Sequence, residues 1–393
     1  MSAEHSIRGL LEKGEFVWAP CVYDCLSARC AELVGHNAVL VSSCELEYAM
    51  NGIPAGMYNW EEYIYAAERI CNSTKLPVII DGENGGGTPM QVYRNVKRLA
   101  EVGAMAISIE DTNSGAFATG YTYASGYGYM DAERWAANVQ AAVEATKGTD
   151  CMIIARTDCK GGGAPQTGAI AKFGGMGLEE AIRRAEMGYQ AGAEITMIQN
   201  ICHADCEDEC REISRRLSKP GRYLFYPDVH ATDGKPDATL EQMQEWGFHL
   251  VSNHVAMKGA ARGMLEFFRE NFKNKNTVYS ENHEIDPSGE FDIGHEFHLF
   301  KFEDYIALDK KYRAYEEELR AKNSKYSEKS IALSFSAGPS ALCADRLGFF
   351  IKHLAHLRAK CSSLAKQGRF KLQLVLEYTT IYLAIPKEKI SSK

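Results

Sequence analysis

PVIIDGENGGGTPMQVYRNVKRLAEVGAMAISIED, residues 77–111, decides the fold. It opens on the apolar, β-branched run VIID (78–81), passes through PMQVYRNVKRLAEVG (89–103) and closes on AMAISIED (104–111). Continuous apolar runs of this length suit strands buried on both faces, as in a parallel sheet. The middle segment starts with Pro and ends with Gly, the asymmetry expected of the two ends of a helix. Six further runs of the same kind flank this unit: FVWAP (16–20), AVLVSS (38–43), MIIARTD (152–158), ITMIQN (195–200), YLFYPD (223–228) and FHLVSN (248–253).

Helical patterns lie between the runs. In 25–35, Leu26, Cys30 and Leu33 share a face; in 59–72, Asn59 is an N-cap and Tyr63, Ala67 and Ile70 fall together. Segments 131–146, 178–192 and 240–247 follow suit. Eight strands alternating with helices over about 240 residues predict an α/β fold, a (β/α)8 TIM-type barrel, rather than an open doubly wound sheet. The glycine-rich GGGTPM (85–90) and CKGGGAP (159–165) match neither a dinucleotide fingerprint nor a P-loop and read as loops.

The barrel is expected to occupy residues 1–270. Residues 271–326 read as charged flanking or oligomerisation helices with aromatic stripes, and 327–393 as a basic C-terminal appendage that does not carry the chemistry. Residues 351–393 hold nine Lys and Arg against two Asp and Glu, although the whole chain is −8. That acidic balance argues against a nucleic-acid partner. MSAEHSIRGLLEKGEF (1–16) lacks the apolar run of a signal peptide, and no stretch approaches the ~18 apolar residues of a membrane span. Twelve scattered cysteines then read as reduced thiols in a cytoplasmic protein.

Active-site residues of such a barrel belong at the C-terminal ends of its strands. Read there, the chain offers Tyr23 and Asp24, Ser42 and Ser43, Asp81 with Glu83, Glu110 with Asp111, Arg156 with Asp158, Gln199 with Asn200, Asp228 with His230, and Asn253 with His254. Asp81, Glu83 and Glu110 would repel one another unless a cation joins them, and oxygen ligands suit Mg²⁺ or Mn²⁺. Arg156 on the next strand suits an anionic, carboxylate substrate. The competing reading is that strand-end acids cap the following helices.

PVIIDGENGGG (77–87), SIEDTNSG (108–115) and IIARTD (153–158) resemble, in order and spacing, the isocitrate lyase/phosphoenolpyruvate mutase superfamily. APCVYDCLSARCAELVG (19–35), LVSS (40–43) and EAIRRAEMGYQAGAE (180–194) extend the resemblance over roughly residues 7–270. It implies a barrel with an end helix exchanged within a homodimer or homotetramer, Mg²⁺, and a small 2-oxo or 2-hydroxy carboxylate processed through an enolate-like species. By this resemblance Asp81 matches the direct metal ligand, Glu83 stands where the family usually has Asp, and Glu110 matches the strand-four metal shell. Ser42 and Ser43 match substrate-carboxylate binders, Arg156 the arginine clamp, and Gln199 a position where relatives use Glu or His. The catalytic residues expected are Arg156, Glu110 and Ser42.

Three departures stand out. The C–C lyases carry a K-[KR]-C-G-H loop after strand four, but TNSGAFATGYTYASGYGYM (112–130) has no Cys, Lys or His. The mutase gate is echoed only by Asn113 and Ser114, out of register. A loop Asp used by many relatives aligns with Ala55, with Glu45 or Glu47 as substitutes. Tyrosines 121, 123, 127 and 129, interleaved with glycines, make the 112–130 loop read as a lid. The loop over 159–175 is longer than in typical relatives.

The expectation is a Mg²⁺-dependent lyase cleaving a C–C bond, or decarboxylating, a small 2-oxo or 2-hydroxy carboxylate through a metal-stabilised enolate. The alternatives are C–P chemistry of the phosphonopyruvate/phosphoenolpyruvate mutase type and a catalytically silent oligomer. His230 and His254 each read as a general base or as a packing residue. Cys21 and Cys44 lie near strand ends, where a nucleophilic role needs a base that spacing alone does not place. Cys202, Cys206 and Cys210 with His203 do not form a standard zinc pattern. Trp246 and Tyr63 read as packing residues.

Overall fold

All eight apolar runs become strands, because side chains on both faces of each run find apolar partners. In the computed structural model of the protein the strands are β1 (Val17–Val22), β2 (Val39–Val41), β3 (Val78–Asp81), β4 (Ala104–Ile109), β5 (Met152–Thr157), β6 (Ile195–Ile198), β7 (Tyr223–Tyr226) and β8 (Leu250–Asn253). They pair in chain order, and β8 returns to β1 to close a barrel in which every pairing is parallel. The structure describes residues 6–51, 58–113, 128–161, 175–201, 206–229, 231–232, 234–293 and 299–335.

The two-residue period of a strand separates two cores. Val17, Ala19, Cys21, Leu40, Ile79, Ala106, Met152, Ile154, Ile195, Met197, Phe225 and Leu250 fill the barrel interior. Their alternates, among them Val39, Val41, Ile80, Ile107, Ile109, Ile153 and Ala155, face the helix layer. The first helix, α1 (Ile7–Glu12), joins the interior cluster through Ile7, Leu10 and Leu11 and lies just before β1 in the chain.

The outer layer follows as α2 (Cys25–Leu33), α3 (Ser43–Asn51), α4 (Trp60–Ser73), α5 (Pro89–Glu101), α6 (Ala132–Ala145), α7 (Gly177–Gln190), α8 (Glu207–Leu217), α9 (Leu240–Glu245) and α10 (Ala256–Asn274). Asn59 caps α4 in a full capping box, and Tyr63, Ala67 and Ile70 are its buried face as expected. Pro89 stands in the first turn of α5. At Gly188 of α7 an added Cβ would sit 2.4 Å from the Ala155 Cβ, so glycine lets this helix lie against β5.

One helix face is corrected. The side chains α2 buries are Ala28, Arg29 and Ala31, whereas Leu26 and Cys30 are exposed. Arg29 goes inside because it finds partners there: its Nε donates to the Leu299 carbonyl and it pairs with Glu32 at 2.7 Å. Helices α1 and α3 and an antiparallel hairpin of Ala231–Thr232 with Lys235–Pro236 were not expected. Trp246 is buried against the helix layer, as its packing assignment requires.

The chain divides after Glu303 into two units, each described by itself. The first also holds the short α11 (Val278–Glu281). The described part of the second is a stretch of the 34-residue α12 (Phe302–Phe335), on which Tyr305, Tyr312 and Tyr315 are exposed. Among the described residues, no helix is long and apolar enough to cross a membrane.

Candidate active site

The strand-end residues assigned to metal, substrate or catalysis by the resemblance meet at one cavity, whereas Tyr23, Asp24, Asp111, Asp158, Asn200, Asp228 and Asn253 are not among its lining residues. Ser42, Ser43, Asp81, Glu83, Glu110, Arg156 and Gln199 all line it, with Cys21, Glu45, Glu47, Ser108, Ser252 and His254. The cavity measures about 410 Å³, room for a small carboxylate.

Local geometry brings the acids close. After β3 the chain turns at Gly82, where an added Cβ would meet the Ser108 carbonyl oxygen at 2.6 Å. Only glycine lets β3's end press against β4. Glu83 follows in a left-handed conformation (φ 45°), a strained state for a side chain with a Cβ. Two backbone hydrogen bonds hold it there: Glu83 N donates to Asp81 Oδ1 at 3.2 Å, and Glu110 N donates to the Glu83 carbonyl at 2.8 Å.

Arg156 is engaged by three carboxylates. Its Nε and Nη2 donate to Asp158 at 2.8 Å each, its Nη1 to Asp81 Oδ2 at 3.0 Å, and Nη2 stands 3.1 Å from Glu110 Oε2. Asp81 also accepts from Ser43 Oγ at 3.1 Å and Ser108 Oγ at 2.9 Å. Ser42 Oγ accepts from Glu45 N at 3.3 Å, so this hydroxyl caps α3 while lining the cavity.

Burial pushes the Glu110 carboxyl up to about 8, although Arg156 opposes the shift, and Thr112 donates to it. Burial raises Glu83 well above the carboxylate range, reinforced by Glu110 and Asp81. The Glu83 Oε2 atom is buried without a hydrogen-bond partner. Desolvated acids of one sign beside an orphaned oxygen are the environment a divalent cation relieves, and hard oxygen donors suit Mg²⁺. Their chemistry therefore fits the ion. Among the described residues, however, no three such groups are gathered at ligating spacing, and the Arg156 guanidinium bridges Asp81 and Glu110.

A second network lies beneath. Asp111 Oδ2 accepts from Thr157 Oγ1 at 2.6 Å and from Arg184 Nη1 at 3.1 Å, and its Oδ1 from Asp158 N at 2.9 Å. Asp111 thereby orients Asp158, which in turn holds Arg156. Sequence reading had placed Asp111 and Asp158 at strand ends without this role, and Arg184 lay unnoticed within EAIRRAEMGYQAGAE.

The family model described as phosphoenolpyruvate phosphomutase matches residues 7–271. The chain belongs to this family. It is accordingly an enzyme of the isocitrate lyase/phosphoenolpyruvate mutase superfamily, whose members include carbon–carbon lyases. The chain is similar to the petal death protein of Dianthus caryophyllus, 29% identical over 77% of this chain and 87% of that one. It is also similar to a 2-methylisocitrate lyase of Aeropyrum pernix, 26% identical over 81% and 94%. In fold it matches a crystal structure of 2,3-dimethylmalate lyase, with TM-score 0.61 and 24% identity over 78% of this chain and 96% of that one.

Several expected features lie elsewhere. Residues 114–127 and 162–174 of the two long loops, and Ala55, fall outside the described residues, as do His230, Cys202 and His203. The ends of the first loop are tied by an antiparallel bridge between Thr112 and Tyr129. Cys206 and Cys210 are buried in the helix layer, with Cys206 Sγ 3.4 Å from Tyr226 Oη.

Proposed function

We propose that the protein is a Mg²⁺-dependent lyase that breaks a C–C bond, by retro-aldol cleavage or decarboxylation, in a small 2-oxo or 2-hydroxy carboxylate. The observation that carries this reading is the meeting of Asp81, Glu83, Glu110 and Arg156 in one small cavity at the C-terminal ends of β3, β4 and β5. Asp81, Glu83 and Glu110 would hold the ion, which when bound supplies Lewis-acid stabilisation of negative charge developing on substrate oxygens. Ser42, Ser43, Gln199 and Arg156 bind and orient the substrate carboxylate, and the acids around Arg156 keep it charged and aimed into the cavity.

The A. pernix relative is named a 2-methylisocitrate lyase, which supports a lyase acting on this substrate class. A second reading, C–P chemistry on a phosphonate of a 2-oxo acid, rests on the description of the family model. A homodimer or homotetramer in the cytoplasm completes the proposal. The exposed apolar side chains Met264, Leu265, Phe268 and Phe272 of α10 support the assembly.

The test is an NMR turnover screen with and without Mg²⁺, over oxaloacetate, isocitrate, 2-methylisocitrate, dimethylmalate and phosphonopyruvate. Metal-dependent loss of a carboxylate without new phosphorus signals is the expected result. A ³¹P product installs the C–P reading instead, and metal-independent turnover sinks the Mg²⁺ requirement. Asp81→Ala should lower turnover by about 10²–10³-fold, the scale of losing a charge-stabilising group.

A further inference from the structure

Across the barrel mouth from Arg156 stands a group of side chains that the reading above leaves unused. Cys21 is an inward-facing residue of β1, and His254 directly follows β8, the strand that closes onto β1. Cys21 Sγ lies 3.8 Å from His254 Nε2, and His254 Nδ1 lies 3.3 Å from Glu45 Oε1. Glu45 stands in the first turn of α3, and its other oxygen, Oε2, is buried without a hydrogen-bond partner. All three residues line the same cavity as Asp81, Glu83, Glu110 and Arg156.

Thiol, imidazole and carboxylate in series form an acid–base relay. The carboxylate holds the imidazole ring, and the protonated ring stabilises the thiolate. Burial raises the Cys21 thiol and His254 opposes that shift, while Cys21 in turn raises His254 despite its own desolvation. Cys44 lines the cavity too, but burial pushes its thiol up to about 11. His254 keeps 41% of its side chain open, so it can exchange protons with water, whereas Cys21 is 1% exposed and meets only the cavity.

C–C cleavage leaves an electron pair on one fragment, and that carbon must take a proton. The 112–130 loop, where lyases of the superfamily carry their acid cysteine, has no Cys, Lys or His. We propose that Cys21 is the proton donor to the freed carbon, with His254 and Glu45 as its positioning residues; this rests on the lyase reading above. In the step, the enolate π pair forms the new C–H bond with the thiol proton, and the S–H pair stays on sulfur as thiolate. Protonated His254 then returns a proton to sulfur and recovers one from water; decarboxylation thereby takes up one solvent proton per turnover, whereas in retro-aldol cleavage the proton that the substrate hydroxyl loses to solvent as it becomes a carbonyl offsets it.

The test uses the full-length protein with Mg²⁺ and the variants Cys21→Ser and His254→Gln. Two readouts accompany turnover. One is the rate of Cys21 alkylation by iodoacetamide, resolved by peptide mass spectrometry. The other is exchange of the methyl protons of pyruvate, a simple 2-oxo acid, in D₂O. Expected are alkylation of Cys21 at least tenfold slower in His254→Gln, and exchange and kcat at least a hundredfold lower in Cys21→Ser with KM little changed. If Cys21→Ser misfolds, His254→Gln carries the kinetic comparison. Wild-type exchange and kcat in Cys21→Ser overturn the proposal while leaving the lyase reading intact. Equal alkylation in wild type and His254→Gln also overturns it. A wild-type protein that cleaves no carboxylate, yet shows His254-dependent alkylation, removes the lyase reading and keeps the coupled thiol.

Discussion

Arg184 reaches Asp111 from α7 with neither side chain open to solvent, and it also donates to the Met130 carbonyl at 2.8 Å. Breaking a buried pair from one side leaves an uncompensated charge, at a cost of about 3–5 kcal/mol. Arg184→Met should therefore lower the thermal midpoint by many degrees, and a melting curve within a degree or two of wild type would refute this. Because Asp111 also holds Asp158 and so Arg156, the same variant should lose turnover below its melting range. The strand-end acids and Arg156 were legible in the sequence, since barrel topology dictates where functional side chains stand. Their pairing was not. Whether a guanidinium faces a ligand or a neighbouring carboxylate depends on distances between strands far apart in the chain, such as the 3.0 Å from Arg156 to Asp81.

At the level of elements, α7 opens with Glu179 and Glu180, favourable at a helix N-terminus, and Glu180 is bridged to Arg183 at 2.7 Å and Arg184 at 3.0 Å. Hydrogen bonding from Arg183, with Arg184 adding to it, holds the Glu180 carboxyl down to about 2. The folded value lies below the unfolded one. Its contribution to stability is therefore present above pH ~4.5 and is lost as pH falls toward 2. Glu180→Gln should flatten the fall in thermal midpoint between pH 4.5 and 2, and an unchanged pH slope would count against the pairing. Helix α10 poses a different question. It buries no residue of its own, and Phe268 and Phe272 are exposed. Under the proposed assembly, Phe268→Glu with Phe272→Glu should shift the sedimenting mass from oligomer to monomer, and an unaltered oligomer mass would count against this face. The inner face of α2 shows where pattern reading ran out. An arginine occupies it because Glu32, one turn on in the same helix, and the Leu299 carbonyl outside it satisfy its charge and donors.

For the whole molecule, the closed barrel concentrates the candidate chemistry at one mouth, and the family match over residues 7–271 spans it. The proposed division leaves residues 327–393 outside the catalytic part. A chain ending at 326 should retain most of the wild-type turnover, and a soluble truncated protein without turnover would give the appendage a role in the reaction. The sequence by itself determined the strands, their order and the acids at their ends, because apolar runs and helix punctuation are local signals that each segment carries alone. Tertiary structure decided three things: the buried Asp111–Arg184 support, the claim of three carboxylates on Arg156, and the placing of His254 3.8 Å from Cys21. The physical reason is closure. Joining β8 to β1 brings residue 254 to residue 21, and no local pattern encodes which side chains meet across that seam.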